Sequence, residues 1–408
     1  MAEAGASSSS GKPAAGLEEF QMEKYDDDDD DGGMQFFSIL AADAELALEK
    51  DPYMTGNAES DSDSQDFDIQ PNDAIFMAAS CEEESCVLEV YVYEENEASM
   101  YVHHDVMLGA YPLCIEWLST TSSVNDGSFA AIGLIDHSIQ IWDLDRLEPM
   151  HPSQALGEVK SKAKPKARRK KRSTEEPPEK EAHQGAVLCL HSSPFNRGVL
   201  VSGGADEVVK VWDVGQNACV HVYSHHSKQV QCAKWHPTEQ AILLSASFDR
   251  HLAVLDVRQP GQVATVDLPA EAESALWSRH KPFECLASAD NGGVACYDVR
   301  KMANKAPTEE LVLWTLQAHE VACTAIQDAP CKDLLVTASL DGEAKVWNTW
   351  GATPRLVMSK NLQAGPLFTC QSSPDNPAVM CFGGRCPVIW DLASENLLTD
   401  IFDFTPVA

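Results

Sequence analysis

Long apolar runs are missing. No stretch of the chain approaches the roughly 18 consecutive apolar residues of a membrane span, so no membrane partner is expected. The opening MAEAGASSSSGKPAAG has no apolar core, which excludes a secretory signal, and no arginine, which argues against an organelle-transit peptide. Basic charge is scarce, with 30 Lys plus Arg against 63 Asp plus Glu and a net charge of −33. There is no C-x-x-C among the 13 cysteines. Cys81/Cys86 and Cys381/Cys386 are closely spaced but have no His partner in zinc-site order, so no metal is expected. Most cysteines, such as Cys189, Cys232, Cys296 and Cys323, sit in apolar text and read as reduced buried thiols. No glycine-rich nucleotide loop and no cluster of metal ligands is present. The chain therefore reads as non-enzymatic, with no cofactor and no small-molecule substrate.

What the chain has in abundance is one short phrase. VKVWDV (209–214) alternates apolar and polar positions and closes on Trp-Asp. Variants are VYVYEE (90–95), IQIWDL (139–144), LAVLDV (252–257), VACYDV (294–299), AKVWNT (344–349) and PVIWDL (387–392). The anchors Tyr93, Trp142, Trp212, Leu255, Tyr297, Trp347 and Trp390 recur at intervals of roughly 40–50 residues, with one gap of about 70. Each copy reads as a strand of period two with one buried face. A single four-stranded unit cannot bury its faces alone, whereas a radial ring of such units can. The period and the Trp-Asp endings are the signature of WD40 blades, so the expected fold is all-β, a seven-bladed propeller over residues 66–408.

Two blades carry an internal polar set. His183, Ser202 and Asp206 accompany Trp212, and His319, Thr337 and Asp341 accompany Trp347. In both, the hydroxyl lies ten residues before the Trp and the Asp six before it. A Ser-His-Asp catalytic triad is the competing interpretation. Recurrence of the set within blades favours a structural network instead, stabilising only when every member is satisfied. The fourth blade keeps His226, Ser245 and Asp249 but has Leu255 at the Trp position; the second keeps Asp136 and Trp142.

Residues 1–65 read as a disordered acidic tail, with a short amphipathic helix expected near 34–50. Its acidic run, Asp26, Asp27, Asp28, Asp29, Asp30 and Asp31, is either a solvated segment or an arm for basic proteins. Ser60, Ser62 and Ser64 sit among acids, a context that suits an acid-directed kinase. The long gap holds a loop, 158–183, expected to be disordered. It is dense in positive charge at Lys160, Lys162, Lys164, Lys166, Arg168, Arg169, Lys170, Lys171 and Arg172. A run of this density fits a nuclear or nucleolar signal, or a phosphate-backbone contact that is salt-sensitive and indifferent to base identity. At the N-terminal boundary of the blades, 66–73 reads as a strand. His103 and His104 adjoin on another strand, so their side chains are expected on opposite faces. ENLLTDIFDF (395–404) reads as the last outer strand.

Phrases outside the Trp-Asp endings carry a narrower likeness. With EKYDDDDDDG (23–32), DPYMT (51–55), IQPNDAI (69–75), LEVYVYEE (88–95), YVHHDVMLGAYPL (101–113), IWDLDRLEP (141–149), HHSKQVQ (225–231), LLSASFDR (243–250) and NLQAGPLF (361–368), the chain resembles the periodic tryptophan protein 1 family of WD-repeat proteins. The resemblance implies a protein of the nucleus and nucleolus that acts in ribosome biogenesis, chiefly in maturation of large-subunit pre-rRNA. Its implied partners are pre-ribosomal proteins and pre-rRNA, with further links to chromatin and rRNA gene transcription. Two rival readings are a histone-tail reader and a substrate receptor of a cullin-type ubiquitin ligase. The second draws on LDVR (255–258) and YDVR (297–300), which keep Asp and Arg but lack the Trp of such receptors.

Overall fold

The computed structural model describes residue 69 and residues 73–404, apart from 83–84, 95–98, 123–124, 147–148, 158–181, 260, 303–307 and 375. The acidic run, the 34–50 segment, Ser60, Ser62, Ser64 and Lys160–Arg172 all fall outside the described residues.

The chain forms seven antiparallel sheets in sequence order, a seven-bladed β-propeller. Blade one spans 74–108, blade two 112–156, blade three 187–223, blade four 230–267, blade five 272–317, blade six 325–361 and blade seven 369–391. Blades two to six have four strands each, ordered as a simple meander; blades one and seven have three among the described residues. Of the segment 66–73, only Ile69 and Asp73 are placed, and neither lies in a strand. Blade seven is followed by no described outer strand. Leu392–Ser394 is a 3-10 turn whose first amide region is capped by Asp391 accepting from the Ala393 N–H, and Asn396–Thr399 is one helical turn. The expected strand over 395–404 is therefore corrected: its apolar residues Leu398 and Phe402 are spaced to bury one helical face under blades six and seven.

Burial also corrects the one-sided strand reading. In blade three the second strand Val199–Gly204 and the third strand Val209–Asp213 are buried on both faces, because each blade is flanked by two others. Exposure appears only on the outer strand Ala218–Tyr223. Apolar clusters fill six successive junctions, from blade one on two through blade six on seven. Among the described residues no such cluster joins blade seven to blade one. There, Tyr91 of blade one lies within electrostatic reach of Cys381 and Cys386; burial, then its bond to Glu89, raises its phenol to about 12.

A β-bulge recurs at the start of the inner strands, where the pairing slips at Pro112/Cys114, Val187/Cys189, Val230/Cys232 and Ala272/Ser274. The cysteine after the slip reaches the next blade. The thiol of Cys114 donates to the Val187 carbonyl at 3.5 Å, Cys189 to Val230 at 3.9 Å and Cys232 to Ala275 at 3.0 Å. In blade six the Thr324 hydroxyl donates to the Leu367 carbonyl at 2.7 Å. Glycines make room for this. A Cβ on Gly203 would lie 2.7 Å from both Cys189 Sγ and Val230 Cγ1.

Two sequence expectations fail in blade one, and both failures follow from register. A bulge at His103 breaks strict alternation, since Val90 pairs with His104 and Tyr91 with Val102. The two imidazoles meet, with their Nδ1 atoms 2.8 Å apart. Cys81 stands directly opposite Cys86 in the hairpin and the two are disulfide-bonded, so the reading of reduced thiols fails for this pair.

Gly203→Ala should lower stability by about 1–3 kcal/mol through overpacking of a junction that has no free volume. Gly198→Ala, whose Cβ would meet nothing closer than 3.6 Å, should change it by about 0.5 kcal/mol or less. Denaturant midpoints compare the two, and equal effects would remove the role assigned to Gly203.

Candidate functional site

In blade three the polar set closes into one chain. The Trp212 indole N–H donates to Ser202 Oγ at 2.8 Å, and Ser202 Oγ lies 2.6 Å from His183 Nε2. His183 Nδ1 is 3.0 Å from Asp206. The directions follow from the two ends. An indole only donates and a carboxylate only accepts, so Nδ1 carries the imidazole proton and donates to Asp206; in the neutral ring Nε2 then accepts from the serine hydroxyl, whose oxygen accepts from the indole. Burial acts to raise the Asp206 carboxyl, but the hydrogen bonds from His183 and the Gln184 N–H hold it below its usual value. Blade six repeats the arrangement, with Trp347 to Thr337 at 3.0 Å, Thr337 to His319 Nε2 at 2.8 Å and His319 Nδ1 to Asp341 at 3.0 Å.

The contacts are those of a triad, but the setting is not. Ser202 and Thr337 are both fully buried, out of reach of a substrate, and each oxygen already accepts an indole N–H. The set is a brace tying the third strand to the loop that enters the blade.

Two parts of this brace were not evident in the sequence. Lys210 is buried and donates to the Ala182 carbonyl at 2.9 Å; Lys345 donates to Ala318 at 3.0 Å. Both lysines stand two residues before the tryptophan and bond the carbonyl just before the histidine, so the shared Lys-Val-Trp text was the available signal. The second is His225. Blade four has buried Leu255 where the indole donor should be. His226 bonds Asp249 at 3.0 Å and Ser245 at 2.9 Å, so Ser245 still needs a donor. His225 Nε2 supplies it at 2.9 Å. Its Nδ1 is left as a buried acceptor without a partner in the structure. Burial first, and the neighbouring His226 second, push His225 down to about 4. The His-His doublet, in the blade that lacks its Trp, was the available signal.

The remaining tryptophan anchors are satisfied locally. Trp142 donates to Gln140 at 3.1 Å, and Asp136 accepts from the Ser138 hydroxyl at 2.7 Å, so blade two has no brace. Trp390 donates to Glu395 at 3.3 Å, which Lys360 also bonds at 2.8 Å. Among the described residues no group of three or more His, Cys, Asp or Glu side chains is placed to hold a metal, and no helix is long and apolar enough to cross a membrane.

What the ring offers is its two ends. At the end bearing the braces, a depression of about 430 Å³ between blades four and five is spanned by the Lys228–Glu271 ion pair at 2.7 Å. At the opposite end, Arg258 and Arg300 are exposed on adjacent blades. Each folds back on an aspartate two residues earlier, Asp256 at 2.7 Å and Asp298 at 2.9 Å.

Comparison with known proteins agrees with this architecture. The WD domain, G-beta repeat, matches residues 177–213, 217–256 and 311–348. An uncharacterised WD repeat-containing protein of Schizosaccharomyces pombe is 31% identical over 366 residues, covering 87% of this chain and 68% of the relative. Periodic tryptophan protein 1 of Saccharomyces cerevisiae is 29% identical over 450 residues, covering 95% of this chain and 77% of its own. A chain in the crystal structure of the mitotic checkpoint complex superposes with a TM-score of 0.57 at 16% identity, over 77% of this chain and 83% of that one, which is a likeness of fold.

Two outcomes follow from the brace. Ser202→Ala strands the Trp212 indole N–H and His183 and should cost about 2–4 kcal/mol in urea unfolding, since two buried groups lose their partner; Ser202→Thr, the residue blade six uses, should cost much less. A loss for Ser202→Ala within error of zero would sink the brace. For pH, the folded His225 binds its proton less readily than the unfolded chain, so stability present above pH 6.5 should fall as pH drops toward about 4. His225→Gln keeps an N–H donor without titrating and should flatten part of that slope in thermal melts; an unchanged slope would count against the assignment.

Proposed function

This chain belongs to the periodic tryptophan protein 1 family of WD-repeat proteins, and on that premise we propose that it works in the nucleus and nucleolus as a non-enzymatic scaffold of large-subunit pre-ribosome assembly. The observation that carries the proposal is the extent of the likeness, which runs over 95% of the chain against the yeast protein of that name. The charge distribution supports it. Asp26–Asp31 suits basic assembly proteins, and Lys160–Arg172 suits an RNA backbone or a nuclear import receptor. The buried hydroxyls of the braces support a platform in place of a hydrolase. Regulation of rRNA genes through chromatin is the second part of the same proposal.

The ligase-receptor reading has less support. Arg258 and Arg300 are each engaged by an aspartate on their own strand end, a local pairing that needs no partner protein.

Affinity purification of the full chain with identification of protein and RNA tests the proposal: large-subunit proteins and pre-rRNA are expected, and histones without pre-rRNA would transfer the role to chromatin. Neutralising Arg168, Arg169, Lys170, Lys171 and Arg172 should abolish nucleolar accumulation without lowering the melting temperature. Charge reversal of Arg258 should leave the associated proteins unchanged, and loss of a ligase adaptor on that reversal would reinstate the rival.

A further inference from the structure

At the ring end opposite the braces, two aromatic side chains on adjacent blades are open to solvent and each carries a cation over its ring. Phe283 is 52% exposed and the Arg300 guanidinium carbon lies 4.8 Å from its centroid. Trp350 is 69% exposed and Lys332 Nζ lies 5.3 Å from its centroid. We propose that this face of blades five and six is a binding surface for single-stranded RNA, with bases stacking on Trp350 and on the Phe283–Arg300 pair. The proposal rests on the pre-rRNA part of the function above and assigns that contact to a place.

The loops that carry these groups are tied together. The Val299 N–H bonds the Phe283 carbonyl at 2.9 Å and the Thr349 N–H bonds the Asp333 carbonyl at 2.8 Å, linking the two loops of each blade. Between the blades, Asp328 of blade six accepts from the Arg279 N–H at 2.8 Å and the Ser278 hydroxyl at 3.1 Å in blade five. The Trp350 turn is itself fixed, its N–H donating to Asn348 Oδ1 at 2.8 Å. The aromatics are therefore presented on a braced platform, which lowers the ordering cost of stacking.

Charge decides which nucleic acid fits. Arg300 is partly neutralised by Asp298, and Lys281 by Glu284 at 3.3 Å, so the patch is cationic only locally within a chain of net charge −33. A duplex presents mainly phosphates and would gain little here. A single strand presents base faces, and base–aromatic stacking tolerates any sequence. The contact thus differs in kind from the Lys160–Arg172 segment, which has no aromatic residue and would bind through counterion release.

The test is fluorescence anisotropy of the full chain with a mixed-sequence single-stranded RNA of about 20 nucleotides and the matching duplex, across a salt series. The background is a variant with Arg168, Arg169, Lys170, Lys171 and Arg172 changed to Gln. In that background binding should persist with a shallow salt slope and favour the single strand. Trp350→Ala should weaken it at least about fivefold, as loss of one stack implies. Phe283→Ala should act similarly, with unchanged melting temperatures because both rings are exposed. Lys332→Ala should shift the salt slope by about one or less. Equal affinity for the duplex, or no change in Trp350→Ala and Phe283→Ala, overturns the surface. If the same aromatic variants instead lose a co-purifying protein while oligonucleotide affinity stays, the face is a protein site and the proposal is wrong. If pre-rRNA still co-purifies when the oligonucleotide assay fails, the scaffold reading stands and only this surface falls.

Discussion

A hydroxyl shut away from water sets the terms for the strongest blades. Ser202 and Thr337 each accept one hydrogen bond and donate another, between a tryptophan that can only donate and a histidine that must then accept. Removing either partner leaves a buried polar group unpaired, so the set is retained or rebuilt as a unit. Blade four illustrates rebuilding. Leu255 supplies no donor, and His225 brings one from the loop that enters the blade to the same Ser245 oxygen. The cost is an imidazole that must stay neutral, which ties the stability of this blade to pH.

Braced blades still have to be joined. The joining is steric before it is polar: apolar clusters fill the junctions from blade one to blade seven, and the inner-strand bulges turn Cys114, Cys189 and Cys232 toward the next blade's carbonyls. Thiol donors are weak, and their value here is volume as much as hydrogen bonding. The Cys189 sulfur fits because Gly203 lacks a Cβ. At the return from blade seven to blade one, Tyr91 lies within electrostatic reach of Cys381 and Cys386, and among the described residues the two flanking sheets have three strands each.

A ring of this kind leaves the loops at the end opposite the braces free to diversify, because no brace uses them. Positive charge is consequently the informative feature on a strongly acidic chain. It is concentrated in one segment, Lys160–Arg172, and reappears beside exposed Phe283 and Trp350. The first offers charge without aromatic surface and the second aromatic surface with little net charge, so the two are suited to different features of one nucleic acid.

The number of blades, their order and the two best braces were legible from residue text, because a period-two strand closing on Trp-Asp writes its own spacing and a tetrad member stands at a constant distance from its tryptophan. Features that depend on a neighbour were not. The bulge that brings His103 against His104, the opposition of Cys81 and Cys86, and His225 standing in for an indole all depend on where an adjacent strand falls, and a one-residue slip in pairing leaves no mark on a single strand's pattern. The tail-end text 395–404 went astray because its apolar residues are few and do not alternate, and the surface of blades six and seven beneath Leu398 and Phe402 decides how they are buried. Local periodicity specified the modules; contact between modules specified everything that distinguishes one from the next.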